Sequence, residues 1–171
     1  KIAAQPKTWR RFRVQKAIRE SSTVRSLHLA PVDEEAVIPH LAGQHLPIRM
    51  RDGADSLRRS YTISSAPLDG FYRLSVKSQG RASTLLHALR EGDEIEALPP
   101  VGVFTIDAME RNRPAVLLAA GIGITPLLSM LRHVVQTGDR TRYRRGIWLF
   151  RSSHVSAERA FDREIGELVE R

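Results

Sequence analysis

The chain is 171 residues long and 42% of them are hydrophobic, which is enough to bury the core of one large domain or two small ones. It contains no cysteine, which excludes disulfides, thiolate metal sites, a cysteine nucleophile and an iron–sulfur centre held by this stretch, and fits a reducing, cytoplasmic location. The formal net charge is +8, and because no apolar run approaches the roughly 20 residues that span a bilayer, we expect a basic globular protein without a membrane span.

The first two thirds of the chain carry the alternating pattern of short β-strands. Apolar residues recur at every second position in six segments separated by polar, Gly or Pro residues, which is typical of a small antiparallel barrel. These residues are Phe12 and Val14, Leu27 and Leu29, Leu46, Ile48 and Met50, Tyr61 and Ile63, Tyr72, Leu74 and Val76, and Ile95 and Ala97. A helix is predicted at residues 83–90, where Leu85, Leu86 and Leu89 share a face. Residues 99–106 are predicted to form the last segment of the barrel.

The pattern changes after Pro114. Ala115–Ala120 is a nearly continuous apolar run, which predicts a strand buried on both faces. A helix is predicted next, because leucines and valines recur at helical spacing, Pro126 suits a first turn and Gly138 closes the segment.

A second strand and helix follow at residues 146–150 and 157–169. Strand, helix, strand, helix implies a parallel sheet of βαβ units whose ligand loops lie at the strand ends. Two strands are fewer than a doubly wound nucleotide domain normally has. We therefore expect a six-stranded antiparallel barrel at residues 1–111 and the incomplete first part of a parallel α/β nucleotide-binding domain at 112–171.

The most specific local motif is the run Arg59, Ser60, Tyr61, Thr62. In an extended strand, Arg59 and Tyr61 project to one face, and Ser60 and Thr62 project to the other. Arg59 offers a guanidinium fork for a pyrophosphate, with charge-assisted bonds of roughly 1.5–3 kcal/mol each, and Tyr61 offers a flat ring. The alternative is an ordinary strand with Arg59 in an unrelated surface pair.

A second motif opens the predicted helix. It consists of Gly80, Arg81, Ala82 and Ser83, which follow Val76 and Lys77 at the end of a strand. Free N–H groups at a helix start favour an anion, so the amides of Arg81, Ala82 and Ser83 could bind a pyrophosphate opposite Arg59. Simple capping of the helix by Ser83 is the alternative.

A third motif, G-x-G-x-x-P, follows the predicted buried strand and opens the next helix. It departs from the dinucleotide fingerprint because Pro126 replaces the final glycine. Gly121 and Gly123 allow close approach of a backbone to a ligand, and Thr125 could cap the helix or contact the ligand. A tight strand-to-helix turn without a ligand is the alternative.

In this order, the three motifs resemble the ferredoxin-reductase-like flavoproteins over nearly the whole chain. The resemblance implies FAD on the barrel, NAD(P)H as electron donor and an iron–sulfur or haem acceptor on a separate protein or a fused domain. It implies that Tyr61 packs against the isoalloxazine and that Thr62 lies near flavin N5, which makes Thr62 the catalytic candidate. It also implies flavin contacts from the second motif and from His45, which follows Gly43 and Gln44 in a G-Q-x-[LV] stretch.

The resemblance further implies that Gly121, Gly123, Thr125 and Pro126 approach the nicotinamide nucleotide. Arg151, at the end of the second parallel strand, could favour a 2′-phosphate or face solvent, so NADH and NADPH both stay open. The family's later segment, often with a Cys-Gly-Pro-like turn, is missing from this sequence. We expect no metal ligands in the site.

Two other interpretations stay open. One is a flavin-binding or regulatory module without turnover. The other is a basic nucleic-acid-binding barrel, since Lys and Arg gain affinity by neutralising phosphates. The densest basic cluster comprises Arg140, Arg142, Arg144 and Arg145. No aromatic-rich strand accompanies it to stack bases, so we expect no nucleic-acid partner.

Overall fold

A computed structural model of the chain describes residues 8–53, 55–106, 114–138 and 146–169. Within these ranges there are eight β-strands, β1 (Arg10–Arg19), β2 (Val24–Pro31), β3 (His45–Asp52), β4 (Asp55–Thr62), β5 (Tyr72–Lys77), β6 (Glu94–Ala97), β7 (Ala115–Ala120) and β8 (Ile147–Ser152). The α-helices of these ranges are α1 (Arg81–Ala88), α2 (Ile124–Thr137) and α3 (Asp162–Val169). Short 3-10 turns lie at Pro67–Asp69, Gly121–Gly123 and Ser156–Glu158.

The first six strands form one antiparallel sheet in the order β4-β3-β6-β1-β2-β5. Its two edge strands meet where Ile63 bridges Leu74, so the sheet curls into a barrel. The apolar residues at alternate positions fill its interior, and α1 contributes Ala82 and Leu86 to the same core. The structure confirms the predicted six-stranded antiparallel barrel.

The helix α1 begins two residues earlier than predicted. Ser83 lies inside its first turn, where its hydroxyl donates to the Gly80 carbonyl at 2.8 Å and accepts from the Gln79 amide at 2.7 Å. Gly80 is the N-cap residue, with a φ of 87°. The helix ends at Ala88, since Leu89 is already extended. The observed bounds of α1 therefore differ from the predicted ones because polar contacts around Ser83, which apolar spacing does not reveal, form its first turn.

Residues 99–106, predicted as the last segment of the barrel, follow β6 and do not form a strand of their own. Val101 makes an isolated bridge with His45, and the rest of the segment is irregular. Pro99 and Pro100 have no backbone N–H to donate to a neighbouring strand. The segment instead lies over the start of β3.

The strands β7 and β8 pair in parallel, and α2 follows β7 directly, which confirms the predicted parallel α/β character. The prediction that Ala115–Ala120 is buried on both faces was wrong. Ala115, Leu117 and Ala119 are buried in a core shared with α2 and α3, whereas Val116 and Leu118 are 56% and 72% exposed. In the described residues, helices cover one face of this two-stranded sheet.

The last helix begins later than predicted. Residues 157–169 were expected to be helical throughout, but a 3-10 turn at Ser156–Glu158 comes first and α3 starts at Asp162. Phe161 has a positive φ of 66°, which breaks any continuous helix at that point. The strand β8 also runs to Ser152, two residues beyond its predicted end.

Two predicted features lie outside the described residues. They are the domain boundary between residues 111 and 112 and the basic cluster of Arg140, Arg142, Arg144 and Arg145. Within the described ranges, no helix is both long and apolar enough to cross a membrane.

Candidate functional site

The hairpin of β3 and β4 carries the first motif on an edge of the barrel. Tyr61 pairs with Leu46 and Arg59 pairs with Ile48, and both partners are fully buried core residues. Directly opposite residues in an antiparallel pair share a face, so Arg59 and Tyr61 stand on the core side of this edge strand. Arg59 nevertheless stays exposed because it lies on an edge strand.

The electrostatics of Arg59 and Tyr61 suit a bound anion. Arg59 donates to the carbonyl of Arg58 at 2.7 Å, and none of the acidic side chains in the described residues pairs with it. Burial raises the pKa of Tyr61, and the positive charge of Arg59 opposes that rise only in part. The phenol therefore stays protonated at neutral pH and can donate a hydrogen bond beside a free guanidinium.

Thr62 and His45 lie opposite each other at the end of the same hairpin. His45 is fixed on its other side, where its amide donates to the Val101 carbonyl and its carbonyl accepts from the Val101 amide, each at 2.9 Å. Gly102 follows with a φ of 123°, and a Cβ there would lie 2.9 Å from His45 Nδ1. Only glycine lets the loop pass this close to the imidazole.

Gln44 ties together the segments around His45, a role that the sequence motif did not reveal. Its side-chain oxygen accepts from the Leu41 amide at 2.9 Å, and its side-chain nitrogen donates to the Gly102 carbonyl at 3.1 Å. Its main-chain carbonyl accepts from the Ile63 amide at 3.0 Å. A polar residue inside a G-Q-x-[LV] turn was the only signal for this contact.

The start of α1 offers main-chain N–H groups to a ligand. Its N-cap residue, Gly80, has no side chain to cap the helix, and a Cβ at Gly80 would meet nothing within 4 Å. Ser83 is occupied by contacts at Gln79 and Gly80 and does not cap the helix. The amides of the first turn are therefore open toward an anion. An ion pair of Arg81 with Asp52 holds this turn beside the end of β3.

Val76 and Lys77, which precede the second motif and were also predicted to bind the cofactor, make contacts within the chain. Val76 is 1% exposed, and its carbonyl accepts from His87 Nε2 at 2.8 Å. The Lys77 ammonium pairs with a Glu158 carboxylate oxygen at 2.9 Å. Lys77 thus joins the barrel to the 3-10 turn at Ser156–Glu158.

The glycine turn of the third motif lies beside β5. Gly121 has a φ of 52°, and an added Cβ at Gly121 or Gly123 would meet nothing within 4 Å, so the turn is open to solvent. Thr125 is buried, and its hydroxyl donates to the Ile122 carbonyl at 3.0 Å, which holds the turn in place. Pro126 follows in the first turn of α2.

Arg151 is also engaged. Its guanidinium pairs with the Asp162 carboxylate and donates to the Ala160 carbonyl at 3.3 Å. The side chain thus lies against the start of α3 and does not project freely from the end of β8.

The geometry of the hairpin fits an elongated ligand. Thr62 lies three positions after Arg59, which corresponds to roughly 10 Å along an extended strand. A flat ring system beside Thr62 and Tyr61 and a phosphate group beside Arg59 and the start of α1 would match that length and charge. The donors present therefore fit a flavin dinucleotide.

A separate hollow of about 660 Å³ lies on another side of the barrel, between the start of β1 and the loop after β2. Phe12 and Tyr72 line it. Its principal cation, Arg10, is already held by Asp33 through two hydrogen bonds of 2.8 and 2.5 Å. Because Asp33 neutralises that guanidinium, the hollow is a weaker anion site than the hairpin of β3 and β4, where Arg59 has no acidic partner in the described residues.

Comparison with known proteins gives consistent matches. Residues 11–106 match the family model described as the oxidoreductase FAD-binding domain. The flavohemoprotein of Xylella fastidiosa strain 9a5c is 36% identical over 167 residues, which cover 95% of this chain and 41% of that protein. This chain therefore spans about two fifths of the length of that relative.

Solved structures share the architecture. The flavohem-like FAD/NAD binding domain of nitric oxide dioxygenase from Vibrio cholerae matches with a TM-score of 0.86 and 30% identity, over 94% of this chain and 69% of that one. The flavohemoglobin from Malassezia yamatoensis, solved with bound FAD and heme, matches with a TM-score of 0.80 and 25% identity, over 95% of this chain and 42% of that one.

Proposed function

This chain belongs to the oxidoreductase FAD-binding domain family, and we propose that it passes electrons from NAD(P)H through FAD to a haem or iron–sulfur acceptor. The observation that carries the proposal is the hairpin of β3 and β4, where Arg59 has no acidic partner among the described residues and the Tyr61 phenol stays protonated. The open N–H groups at the start of α1 supply a second set of donors for an anion. Family membership agrees with the resemblance to ferredoxin-reductase-like flavoproteins. We propose the activity for the whole protein, because this chain covers only 41% of the length of the Xylella flavohemoprotein.

We assign residues 1–111 to the FAD-binding barrel and 112–171 to the first part of the NAD(P)-binding domain. Two hydrophobic cores support this division, one inside the barrel and one between β7 and the helices α2 and α3. The second core also takes in Val24, Ala42 and Ile106, so the two parts pack against each other. We infer a cytoplasmic location, which the absence of cysteine favours.

When bound, FAD would accept a hydride at N5 from the reduced nucleotide and release electrons singly. Arg59 and the amides of residues 81–83 would hold its pyrophosphate by charge-assisted bonds. Tyr61 would support the ring. The Thr62 hydroxyl can either donate or accept a hydrogen bond, so it suits a ring nitrogen whose protonation changes. The open turn Gly121–Gly123 would let the nucleotide approach the backbone.

Haem is the acceptor class that the relatives favour. The Xylella protein is a flavohemoprotein, and the Malassezia structure contains both FAD and heme. An iron–sulfur centre on a separate protein remains the other acceptor class that the family resemblance implies. This chain contains no cysteine, so it cannot itself supply thiolate ligands to such a centre.

Anaerobic titration of the FAD-loaded, full-length protein with NADH and with NADPH tests the proposal. We expect at least one nucleotide to bleach the oxidised flavin absorbance. Thr62→Ala should slow this reduction roughly tenfold to hundredfold, because a hydrogen bond to the charge that develops at the reacting atom is lost. Thr137→Ala is the control, since its hydroxyl bonds only to carbonyls of its own helix. No bleaching by either nucleotide would favour a flavin-binding module without turnover.

A further inference from the structure

A buried arginine, Arg73, joins the barrel to the nucleotide-binding part. Arg73 is the second residue of β5 and is 6% exposed. Its guanidinium donates to both carboxylate oxygens of Glu164 in α3, at 2.9 and 3.2 Å. It also donates to the Ser64 hydroxyl at 3.1 Å and to the Ser64 carbonyl at 2.9 Å. Ser64 lies two residues after Thr62, so Arg73 connects the proposed flavin strand directly to α3.

The position of Arg73 is further fixed by Phe161. The Phe161 ring lies 5.4 Å from the guanidinium carbon of Arg73 and is buried with it. Phe161 adopts a positive φ of 66° to place its ring there. This backbone conformation costs a residue with a side chain roughly 1–2 kcal/mol, so neighbouring contacts must hold it. The cation–π contact is one of them.

A second set of contacts links α2 to the segment that follows Ser64. The Ser129 hydroxyl donates to the Ser65 carbonyl at 2.7 Å. Arg132 pairs with Asp69 at 2.9 Å and also with Glu164, which it shares with Arg73. Burial would lower the pKa of Arg132, but the two carboxylates outweigh it and the pKa is raised.

The charges in this network balance. Two arginines face two carboxylates, and two further N–H groups of Arg73 donate to the hydroxyl and the carbonyl of Ser64. A buried guanidinium is costly unless it is paired and hydrogen-bonded. Both helices of the nucleotide-binding part therefore hold the same short stretch, residues 64–69, immediately after the proposed flavin strand.

We propose that Arg73 is a positioning residue that fixes the strand carrying Thr62 relative to the nucleotide-binding part, through Ser64 on one side and Glu164 on the other. The inference rests on the proposed function, because it assigns the network a role in aligning the two halves of one redox site. Hydride transfer depends steeply on alignment, so a displacement of about 1 Å can cost up to roughly a hundredfold in rate. A network that only stabilises the fold would leave that rate unchanged.

The variant Glu164→Gln tests this role with little change in shape. The amide keeps one acceptor oxygen but presents an NH₂ group to the guanidinium, so the two-oxygen contact with Arg73 is lost. Asp33→Asn is the matched control, because it removes a carboxylate that also holds an arginine, Arg10, by two hydrogen bonds within the barrel alone. Ser64→Ala removes the hydroxyl contact of Arg73 on the barrel side and keeps the contact with the main-chain carbonyl of residue 64.

Two measurements are made on the full-length protein. The first is the anaerobic rate of flavin reduction by saturating NADH or NADPH, with the half-saturating concentration. We expect Glu164→Gln to lower the reduction rate about tenfold and to leave the half-saturating concentration within about twofold. The effect of the double variant Glu164→Gln with Ser64→Ala on this rate should differ from the combined effects of the two single variants. The second, made without FAD, is amide hydrogen exchange of residues 63–66, which should quicken in Glu164→Gln and not in Asp33→Asn.

The outcomes separate the two hypotheses. If the parent protein shows no reduction by either nucleotide, the proposed function fails. If the parent is reduced and Glu164→Gln is reduced at the same rate, the positioning role alone is overturned. Unchanged exchange of residues 63–66 in Glu164→Gln overturns it as well, with or without flavin. Slower reduction with unchanged half-saturation and faster exchange in the same variant supports it.

Discussion

The turn into β3 offers the sharpest test of the packing around His45. Gly43 has a φ of 106°, and a Cβ built there would lie 2.2 Å from the carbonyl oxygen of Phe104 and 2.6 Å from the Cε atom of Met130. The Met130 side chain can move, but the Phe104 carbonyl belongs to the backbone. Gly43→Ala therefore forces the loop of residues 101–106 away from the start of β3.

The expected cost of Gly43→Ala has two parts. A left-handed conformation costs an alanine roughly 1–2 kcal/mol, and overpacking adds roughly 1–3 kcal/mol, for a total of about 2–5 kcal/mol. At roughly 2–4 °C per kcal/mol for a chain of this size, Tm should fall by about 4–20 °C. Gly138→Ala is the control, since its φ is 63° but an added Cβ meets nothing within 4 Å, so only the backbone cost applies.

Thermal unfolding followed by circular dichroism measures both variants under the same conditions. We expect Gly43→Ala to unfold at a clearly lower temperature than Gly138→Ala. Equal Tm values in the two variants would refute the close contact between the turn at Gly43 and the Phe104 backbone.

Two further predictions follow from the charged groups at the junction of barrel and helices. Burial, followed by the charge of Arg73, lowers the pKa of His28 from 6.5 to about 4, so the unfolded chain binds the proton more tightly and stability is lost as pH falls from 6.5 toward 4. After allowance for partial exposure, the loss in the free energy of unfolding is about 1 kcal/mol. His28→Gln should make this loss smaller, as measured by urea unfolding at neutral pH and at pH values between 6.5 and 4. An unchanged pH dependence in the variant would contradict the assignment to His28. Asp162→Asn should release Arg151 from its ion pair and so free the guanidinium for a 2′-phosphate. The affinity for NADPH relative to NADH should then improve by about tenfold. An unaltered ratio of the two dissociation constants would show that Arg151 does not reach a 2′-phosphate.

The alternation of apolar residues predicted the barrel well because its two-residue period coincides with burial. Leu46 and Ile48 point into the core, and their partners Tyr61 and Arg59 fall on the same side by register. The same pattern could not place the ends of helices. The helix α1 starts before Ser83, whose hydroxyl bonds within the first turn. The helix α3 starts after Phe161, whose positive φ cannot be predicted from apolar spacing.

The candidate site was predictable where local sequence determines it. The faces of β4 and the glycines near ligand loops follow from motif and period. The engagement of Lys77 by Glu158 and of Thr125 by Ile122 does not, because each depends on a partner placed by packing. Arg73 was missed for the same reason, since Glu164 lies 91 residues away in sequence. An arginine between Tyr72 and Leu74, two fully buried apolar positions of β5, was its only signal.

Retention of FAD tests the central claim most directly. The FAD-loaded protein is freed of unbound flavin, and its visible absorption is compared with that of Arg59→Ala and Arg58→Ala. Arg58 is the matched control, because it is the adjacent arginine, lies on the opposite face of β4 and contacts Trp9 at 5.5 Å. We predict retained flavin bands in the parent and in Arg58→Ala, and affinity weakened about tenfold to hundredfold in Arg59→Ala. A folded parent protein that retains no flavin would contradict the account.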